Sequence, residues 1–257
     1  MLHRDPAWTV GSGRGMSGKK GAEVYSSPPD FAKPGPPEPG RLSYNKGMAG
    51  ALTIDTLLQA ADNALRALFA PAQASRVPAL LPQPAALEEA ERRHAAGLMR
   101  VNHAGEIAAQ ALYHGQALLS RSPQTREFLL RAAREEGDHL AWCEMRLREL
   151  GEHPSRLNPL WYAGSFAIGA VAAALSDKVS LGFVTETERQ VEGHLQEHLE
   201  RLPAQDERSR RMLEAMKADE AGHAQAATAA GAVELPLPVR KLMRATSRVM
   251  TATAYWI

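Results

Sequence analysis

Two short stretches, EEGDHL at residues 135–140 and ADEAGHA at 218–224, decide how this chain is read. Each contains Glu-x-x-His: Glu136 with His139, and Glu220 with His223. Residues three apart on an α-helix share a face, so each pair aims a carboxylate and an imidazole at one point. A lone glutamate stands upstream of each pair at nearly the same interval. Glu106 lies 30 residues before Glu136, and Glu188 lies 32 before Glu220. About thirty residues is one helix, a turn and part of the returning helix. Each lone glutamate therefore falls on a neighbouring antiparallel helix, facing its pair. One Glu-x-x-His alone is ordinarily a solvated face, the reading given to His94, His114, His153 and His198. Duplicated pairs with matched upstream glutamates point instead to a dinuclear metal site.

The set of four carboxylates and two imidazoles resembles the ligand pattern of ferritin-like di-iron and di-manganese bundles. Oxygen-rich sites with one imidazole per metal suit iron or manganese better than zinc. Carboxylates can bridge the two metals, and the ligand count leaves positions open for O2. The fold class expected is all-α: a ferritin-like four-helix bundle with a di-metal carboxylate centre, plus additional membrane-contacting helices.

Composition narrows the rest. The 257 residues are 44% hydrophobic, enough for one substantial core. A net charge of +1 gives no global field toward nucleic acid. The single cysteine, Cys143, excludes an internal disulfide and a Cys-based metal site, and is read as a helix-packing residue in a reducing compartment. No export signal is read at the N-terminus. Residues 1–50, with SSPPDFAKPGPPEPG at 26–40, are rich in Gly, Pro and Ser and are read as a disordered tail. Met48 just before the first amphipathic segment offers an alternative start.

The domain at 51–257 reads as a series of helices. Residues 52–69 carry Ile54, Leu57, Leu58, Leu65 and Leu68 at helical spacing, and Pro71 stops the run. Bundle helices are expected at about 86–120, 123–150, 177–201 and 205–231, punctuated by Pro123, Gly151 and Pro203. Between the second and third lies LNPLWYAGSFAIGAVAAALS at 157–176, which has no charge. Three readings fit it: a helix buried against the bundle, a peripheral membrane-contacting helix, and a true span. The final PVRKLMRATSRVMTATAYWI is basic and amphipathic, a surface helix or a membrane-surface element. Asp138, Asp219, His103 and His194 are the polar neighbours placed to orient the imidazoles. Glu135 and Glu192 lack the spacing and stay outside the ligand set.

The stretches NHAGEIAAQALYHGQ (102–116), EEGDHL, SDKVSLGFVTETERQVEGHL (176–195) and ADEAGHA resemble the demethoxyubiquinone hydroxylase family of ubiquinone biosynthesis, in order and at the right intervals. The resemblance covers about residues 51–257. It implies a monooxygenase whose two iron ions are held by Glu106, Glu136, His139, Glu188, Glu220 and His223. It also implies that O2 hydroxylates the ring of a polyprenyl methoxy-methyl-benzoquinol, one oxygen entering the ring and the other leaving as water. The implied partners are that quinol, O2 and an electron donor, either NADH or the quinol itself. A homo-oligomer and a ubiquinone-biosynthesis complex are left open. The resemblance further implies peripheral contact with a membrane; the sequence looks bacterial, so this is expected at the cytoplasmic face of the inner membrane. Animal members resemble one another in a His-His-Tyr run where this chain has Gly193-His194-Leu195. His194 is carried over as a group supporting the iron ligands, while Leu195 has no hydroxyl to carry over.

Two other classes share the ligand set. A ferritin-like iron-oxidising or storage protein would form a soluble cage, which the uncharged 157–176 stretch argues against. A ferritin-like tRNA hydroxylase would want a basic patch beside the site. A purely structural scaffold would leave six convergent polar groups in a core without compensation.

Overall fold

The computed structural model describes residues 53–78 and 81–257. The tail at 1–50 and the alternative start at Met48 lie outside the described residues. Among the described residues there are seven α-helices and no strand: α1 (Ile54–Phe69), α2 (Glu89–Leu119), α3 (Pro123–Glu149), α4 (Asn158–Leu175), α5 (Asp177–Arg201), α6 (Glu207–Ala229) and α7 (Leu237–Ala254).

Local chemistry sets the boundaries. Thr53 caps α1 by accepting from the Thr56 amide, Ser122 caps α3 ahead of Pro123, and Ser176 caps α5 by accepting from the Val179 amide. Asp206 caps α6 at the Ser209 amide and also binds Arg146 of α3 at 2.8 Å, so the cap doubles as a tie between helices. Both members of this pair are fully buried. Helices α3 and α6 end on Gly151 and Gly231, whose φ values of 71° and 100° are left-handed. The Glu152 amide reaches back to Leu147 and the Ala232 amide to Ala227, closing the exposed carbonyls of each last turn.

Helices α2, α3, α5 and α6 form the bundle, and its interior is layered. One apolar layer contains Leu98, Met99, Trp142, Cys143, Leu147, Leu195, Met212, Leu213 and Met216. The other contains Ala109, Leu112, Tyr113, Leu129, Ala133, Leu181, Val184 and Ala227. On every bundle helix the predicted ligands fall between these two sets in sequence, so the polar groups form a slab with apolar layers on both sides. Cys143 is fully buried in the first layer, and burial pushes its thiol well up.

Helix α4 packs against α2 and, through the Ser176 link, against α5. Its glycines explain its weak hydropathy. A Cβ on Gly169 would stand 2.1 Å from the Leu112 carbonyl oxygen, and one on Gly115 of α2 would stand 2.1 Å from the Phe166 oxygen. The two backbones touch, and only glycine fits at either position. The other face of α4 leaves Leu160, Ile168, Val171 and Leu175 exposed. The 157–176 stretch is thus a bundle-packed helix with one open apolar face. Among the described residues no helix is long and apolar enough to cross a membrane.

Candidate metal centre

The bundle brings all six predicted ligands together. Glu106 comes from α2, Glu136 and His139 from α3, Glu188 from α5, and Glu220 and His223 from α6. All are buried. Their donor atoms fall into two sets, each within 4.8 Å: Glu106, Glu136, His139 and Glu220; and Glu136, Glu188, Glu220 and His223. Glu136 and Glu220 belong to both sets. Shared carboxylates between two four-donor sets are what a bridged dinuclear centre requires.

The imidazoles face inward by Nδ1. His139 Nδ1 lies 3.1 Å from Glu136 Oε2, 3.1 Å from Glu220 Oε1 and 3.7 Å from Glu106 Oε2. His223 Nδ1 lies 3.1 Å from Glu136 Oε1, 3.5 Å from Glu220 Oε2 and 3.8 Å from Glu188 Oε1. The outward nitrogens are held symmetrically. His139 Nε2–H donates to Asp219 Oδ2 at 3.0 Å, and His223 Nε2–H donates to Glu135 Oε2 at 3.1 Å. In each half-site the acid just before one helix's Glu ligand orients the other helix's histidine. Such a bond fixes the ring and leaves Nδ1 free to bind a metal.

The energetics of this cluster without metal are poor. Four carboxylates share this buried space with only two imidazoles to answer them, and Glu188 Oε2 is buried without a hydrogen bond, which is costly for a carboxylate oxygen. Burial pushes the Glu106 and Glu188 carboxyls well above the usual range, with the neighbouring glutamates adding repulsion. Burial also opposes ionisation of Glu136 and Glu220, but the facing histidines override it and hold both below that range. Burial alone would depress the two imidazoles. The bonded Asp219 and the facing glutamates instead hold His139 well up, and Glu136 with Glu135 does the same for His223. A pair of cations would satisfy the crowded oxygens and offset the burial and mutual repulsion that raise Glu106 and Glu188. The residues present therefore fit a dinuclear metal site.

The structure redistributes the supporting roles. Of the four polar neighbours expected to orient the imidazoles, Asp219 does so. Asp138 instead accepts from Ser75 and pairs with Arg76 at 3.5 Å, and His103 faces Asn158 at 3.3 Å and Glu144 at 3.7 Å. His194 points elsewhere. Its Nε2 bonds Ser247 Oγ at 3.0 Å and its Nδ1 lies 3.9 Å from Glu197, in a groove between α5 and α7. Glu135, set aside on spacing, is the mirror image of Asp219. Tyr113 was not singled out, yet its hydroxyl donates a short hydrogen bond to Glu188 Oε1. The sequence held signals for both: an acid precedes the Glu of each pair, and Tyr113 follows Glu106 by seven residues, two helical turns along one face. Three of the four histidines read as solvated are also different. His94 is half-buried, with Nδ1 2.6 Å from the Tyr255 hydroxyl and Nε2 3.0 Å from the Arg201 carbonyl. His198 is buried against Asn102 Oδ1 at 2.7 Å, and His114 is half-buried against the Tyr162 hydroxyl at 3.0 Å.

Comparison with known proteins identifies the family. The family model described as ubiquinone biosynthesis protein COQ7 matches residues 93–254. A 3-demethoxyubiquinol 3-hydroxylase of Bordetella parapertussis is 59% identical over 206 residues, covering 79% of this chain and 93% of that protein. One of Ralstonia pickettii is 56% identical over 216 residues, covering 79% and 100%. One of Cupriavidus pinatubonensis is 59% identical over 207 residues, with the same shares. With more than half its length matched by the family model and such relatives spanned almost end to end, this chain belongs to the ubiquinone biosynthesis protein COQ7 family.

Proposed function

We propose that this chain is a 3-demethoxyubiquinol 3-hydroxylase that holds two iron ions between Glu106, Glu136, His139, Glu188, Glu220 and His223. The observation that carries the reading is the pair of four-donor sets sharing Glu136 and Glu220, in a chain so similar to proteins of that name. The reaction class consumes O2, two electrons and two protons for each ring hydroxyl and water formed. When bound, the iron pair supplies the two-electron chemistry with O2.

The chain's own residues supply the setting. His139 and His223 present Nδ1 because Asp219 and Glu135 hold Nε2–H. The apolar layers above and below exclude water, which strengthens every electrostatic contact inside. Tyr113 keeps its proton, because burial and then the charge of Glu188 push its hydroxyl well above the usual range. That hydroxyl holds Glu188 in one rotamer and places a proton at Glu188 Oε1. The electron donor in this reading is the quinol itself, or NADH acting through it.

The substrate class has an isoprenoid tail that lives in a bilayer, and three helices offer apolar side chains to such a phase. Helix α1 exposes Ile54, Leu57, Leu58, Leu65 and Phe69, α4 exposes Leu160, Ile168, Val171 and Leu175, and the α7 region exposes Leu237, Leu242, Val249 and Trp256. Arg240, Lys241, Arg244 and Arg248 accompany the last set, a composition suited to an anionic headgroup layer. This supports a peripheral position on the cytoplasmic face of a bacterial inner membrane.

The test is purification in detergent under conditions that spare ferrous iron, with metal counted per chain and lipid quinones identified by mass spectrometry. Two irons and a co-purifying demethoxy quinone are expected. Two irons without a quinone, together with no hydroxylation of added quinol, would overturn the substrate. A chain that binds no metal would overturn the centre.

A further inference from the structure

A short strap, residues 72–76, crosses α3 on the His139 side of the cluster and ends on the outer partner of that histidine. Four anchors pin it. The Ala72 amide donates to Glu144 at 3.4 Å, Ser75 donates its amide and its hydroxyl to Asp138, and Trp142 Nε1–H donates to the Arg76 carbonyl at 2.7 Å. Trp142 in turn lies against the His139 ring, with centroids 5.1 Å apart. The Arg76 guanidinium stands 5.0 Å over the Trp142 ring, pairs with Asp138 at 3.5 Å, and donates a short bond to Asp219 Oδ2. That same oxygen receives His139 Nε2–H. The strap lies before residue 93, where the family match begins.

Each half-site has an acid behind its histidine, and at the His139 half-site the oxygen of that acid also receives the Arg76 guanidinium. We propose that Arg76 is a positioning residue for the metal centre: by holding Asp219 Oδ2 it sets the donor strength of His139, so the His139 half-site binds its metal differently from the His223 half-site. The physical reason is charge sharing at one atom. A carboxylate that accepts from a ligating imidazole makes it a stronger donor. A guanidinium on the same oxygen withdraws part of that electron density while fixing the oxygen's position. His139 thereby has its ring orientation fixed through Asp219, and Glu135 bonds His223 from outside the strap. The inference rests on the dinuclear reading above.

The experiment titrates the metal-free protein with ferrous iron under argon. Affinities are read by competition with a chelator, and the two metal environments by Mössbauer spectroscopy with isotopically enriched iron. The full chain is compared as wild type, Arg76→Gln, Arg76→Lys and Ser75→Ala. Wild type is expected to show two distinct ferrous environments. Arg76→Gln should shift the spectrum of one of them and change the affinity of one site by about three- to tenfold, less than the 10–100-fold typical of losing a ligand's direct partner. Arg76→Lys should recover part of the shift, because its single ammonium reaches Asp219 without the planar fork. The wild-type affinity difference should shrink at high salt, since the guanidinium is half exposed. Ser75→Ala loosens the strap and keeps the charge, so it should leave the spectrum in place. Identical spectra and affinities for wild type and Arg76→Gln would overturn the role of Arg76 and leave the metal centre standing. A Ser75→Ala spectrum that moves as far as that of Arg76→Gln would also overturn it, assigning the effect to the strap's anchoring. A wild type that takes up no iron would remove the centre and this inference together.

Discussion

The middle of the bundle and its outer helices invert the usual arrangement in opposite senses. Glu136 and His139 are completely shielded from solvent, while Trp256 is 79% exposed and Ile54 76% exposed. Soluble domains ordinarily hide Ile and Trp and show Glu and His. Each inversion is costly by itself, and each names what would relieve it. Crowded buried carboxylates are relieved by cations, and the exposed apolar side chains of α1, α4 and α7 are relieved by an apolar phase. The two inversions together are what the proposed function asks for, a metal centre inside and an apolar contact outside.

The largest effect should come from breaking the interior. Glu136 serves both donor sets, so Glu136→Ala should lose both metals together, with affinity down by at least about 100-fold. Glu106→Ala touches one set only and should weaken one site more than the other. Metal counting after desalting separates the two outcomes. Loss of one metal from Glu136→Ala would show that this carboxylate does not bridge. Glu136→Ala should also cost stability in the metal-free protein, since it takes a buried partner from both His139 and His223, so metal is counted only on protein shown to be folded.

Next comes the joint between interior and exterior. Gly115→Ala inserts a methyl where the Phe166 carbonyl oxygen already sits, and neither backbone can move without parting α2 from α4. We expect a loss of about 3 kcal/mol, the upper part of the range for overpacking, read by chemical denaturation of the metal-free protein. Gly105→Ala on the same helix, where a Cβ meets nothing, should cost nothing and can stabilise. Equal effects at the two glycines would mean that α2 and α4 do not meet through their backbones.

These sites also mark how far sequence reasoning reaches. The convergence of the six candidate ligands was legible because helical periodicity converts spacing directly into a shared face, and all four bundle helices lie within a few residues of their expected bounds. Groups that act across the bundle were harder. Glu135 was judged by its distance from His139 on its own helix, whereas it serves His223 of α6. His194 sits six residues after Glu188. At 100° per residue that is about 120° around the helix, so it turns away from the cluster toward α7. Tyr113 is two full turns from Glu106 and could have been found by the arithmetic that found the ligands. The reading of His198 as solvated failed because nothing in its own helix shows that Asn102 of α2 covers it.

His198 sharpens the comparison within the interior. His139 and His223 are buried among carboxylates that push their imidazoles up, whereas His198 is buried against an amide. Burial, with repulsion from His194, Arg201 and His94, drives its pKa down to about 3. Below the ordinary histidine range the unfolded chain takes up a proton that native His198 refuses. Stability is therefore fully present above about pH 6.5 and falls as pH drops toward 3. At pH 5 the loss from this residue is about 2 kcal/mol, at 1.36 kcal/mol per pH unit. His198→Gln keeps a hydrogen bond to Asn102 and should remove that part of the acid slope in denaturation series from pH 8 to 5. Parallel slopes for the two proteins would place His198 in water.

The smallest effect should come from the outside. Leu57 and Leu58 of α1 are exposed, so replacing both with Asp costs little in the folded state. What it removes is partition into an apolar phase, about 0.8 kcal/mol for each methylene that would have been buried. Only part of each side chain enters a headgroup layer, so about tenfold weaker binding to vesicles containing anionic phospholipid is expected, equivalent to 1.4 kcal/mol. Thermal stability and metal content should be unchanged, which separates this change from every interior one. Turnover of a short-tailed soluble quinol should be unchanged as well, while turnover of a long-tailed quinol in vesicles falls with the binding. If vesicle binding stays the same, α1 is not part of the contact, and Leu160 and Val171 of α4 become the next pair to charge. If turnover of both quinols falls equally, the α1 face serves the chemistry rather than the surface, and the division between interior and exterior drawn here fails at that helix.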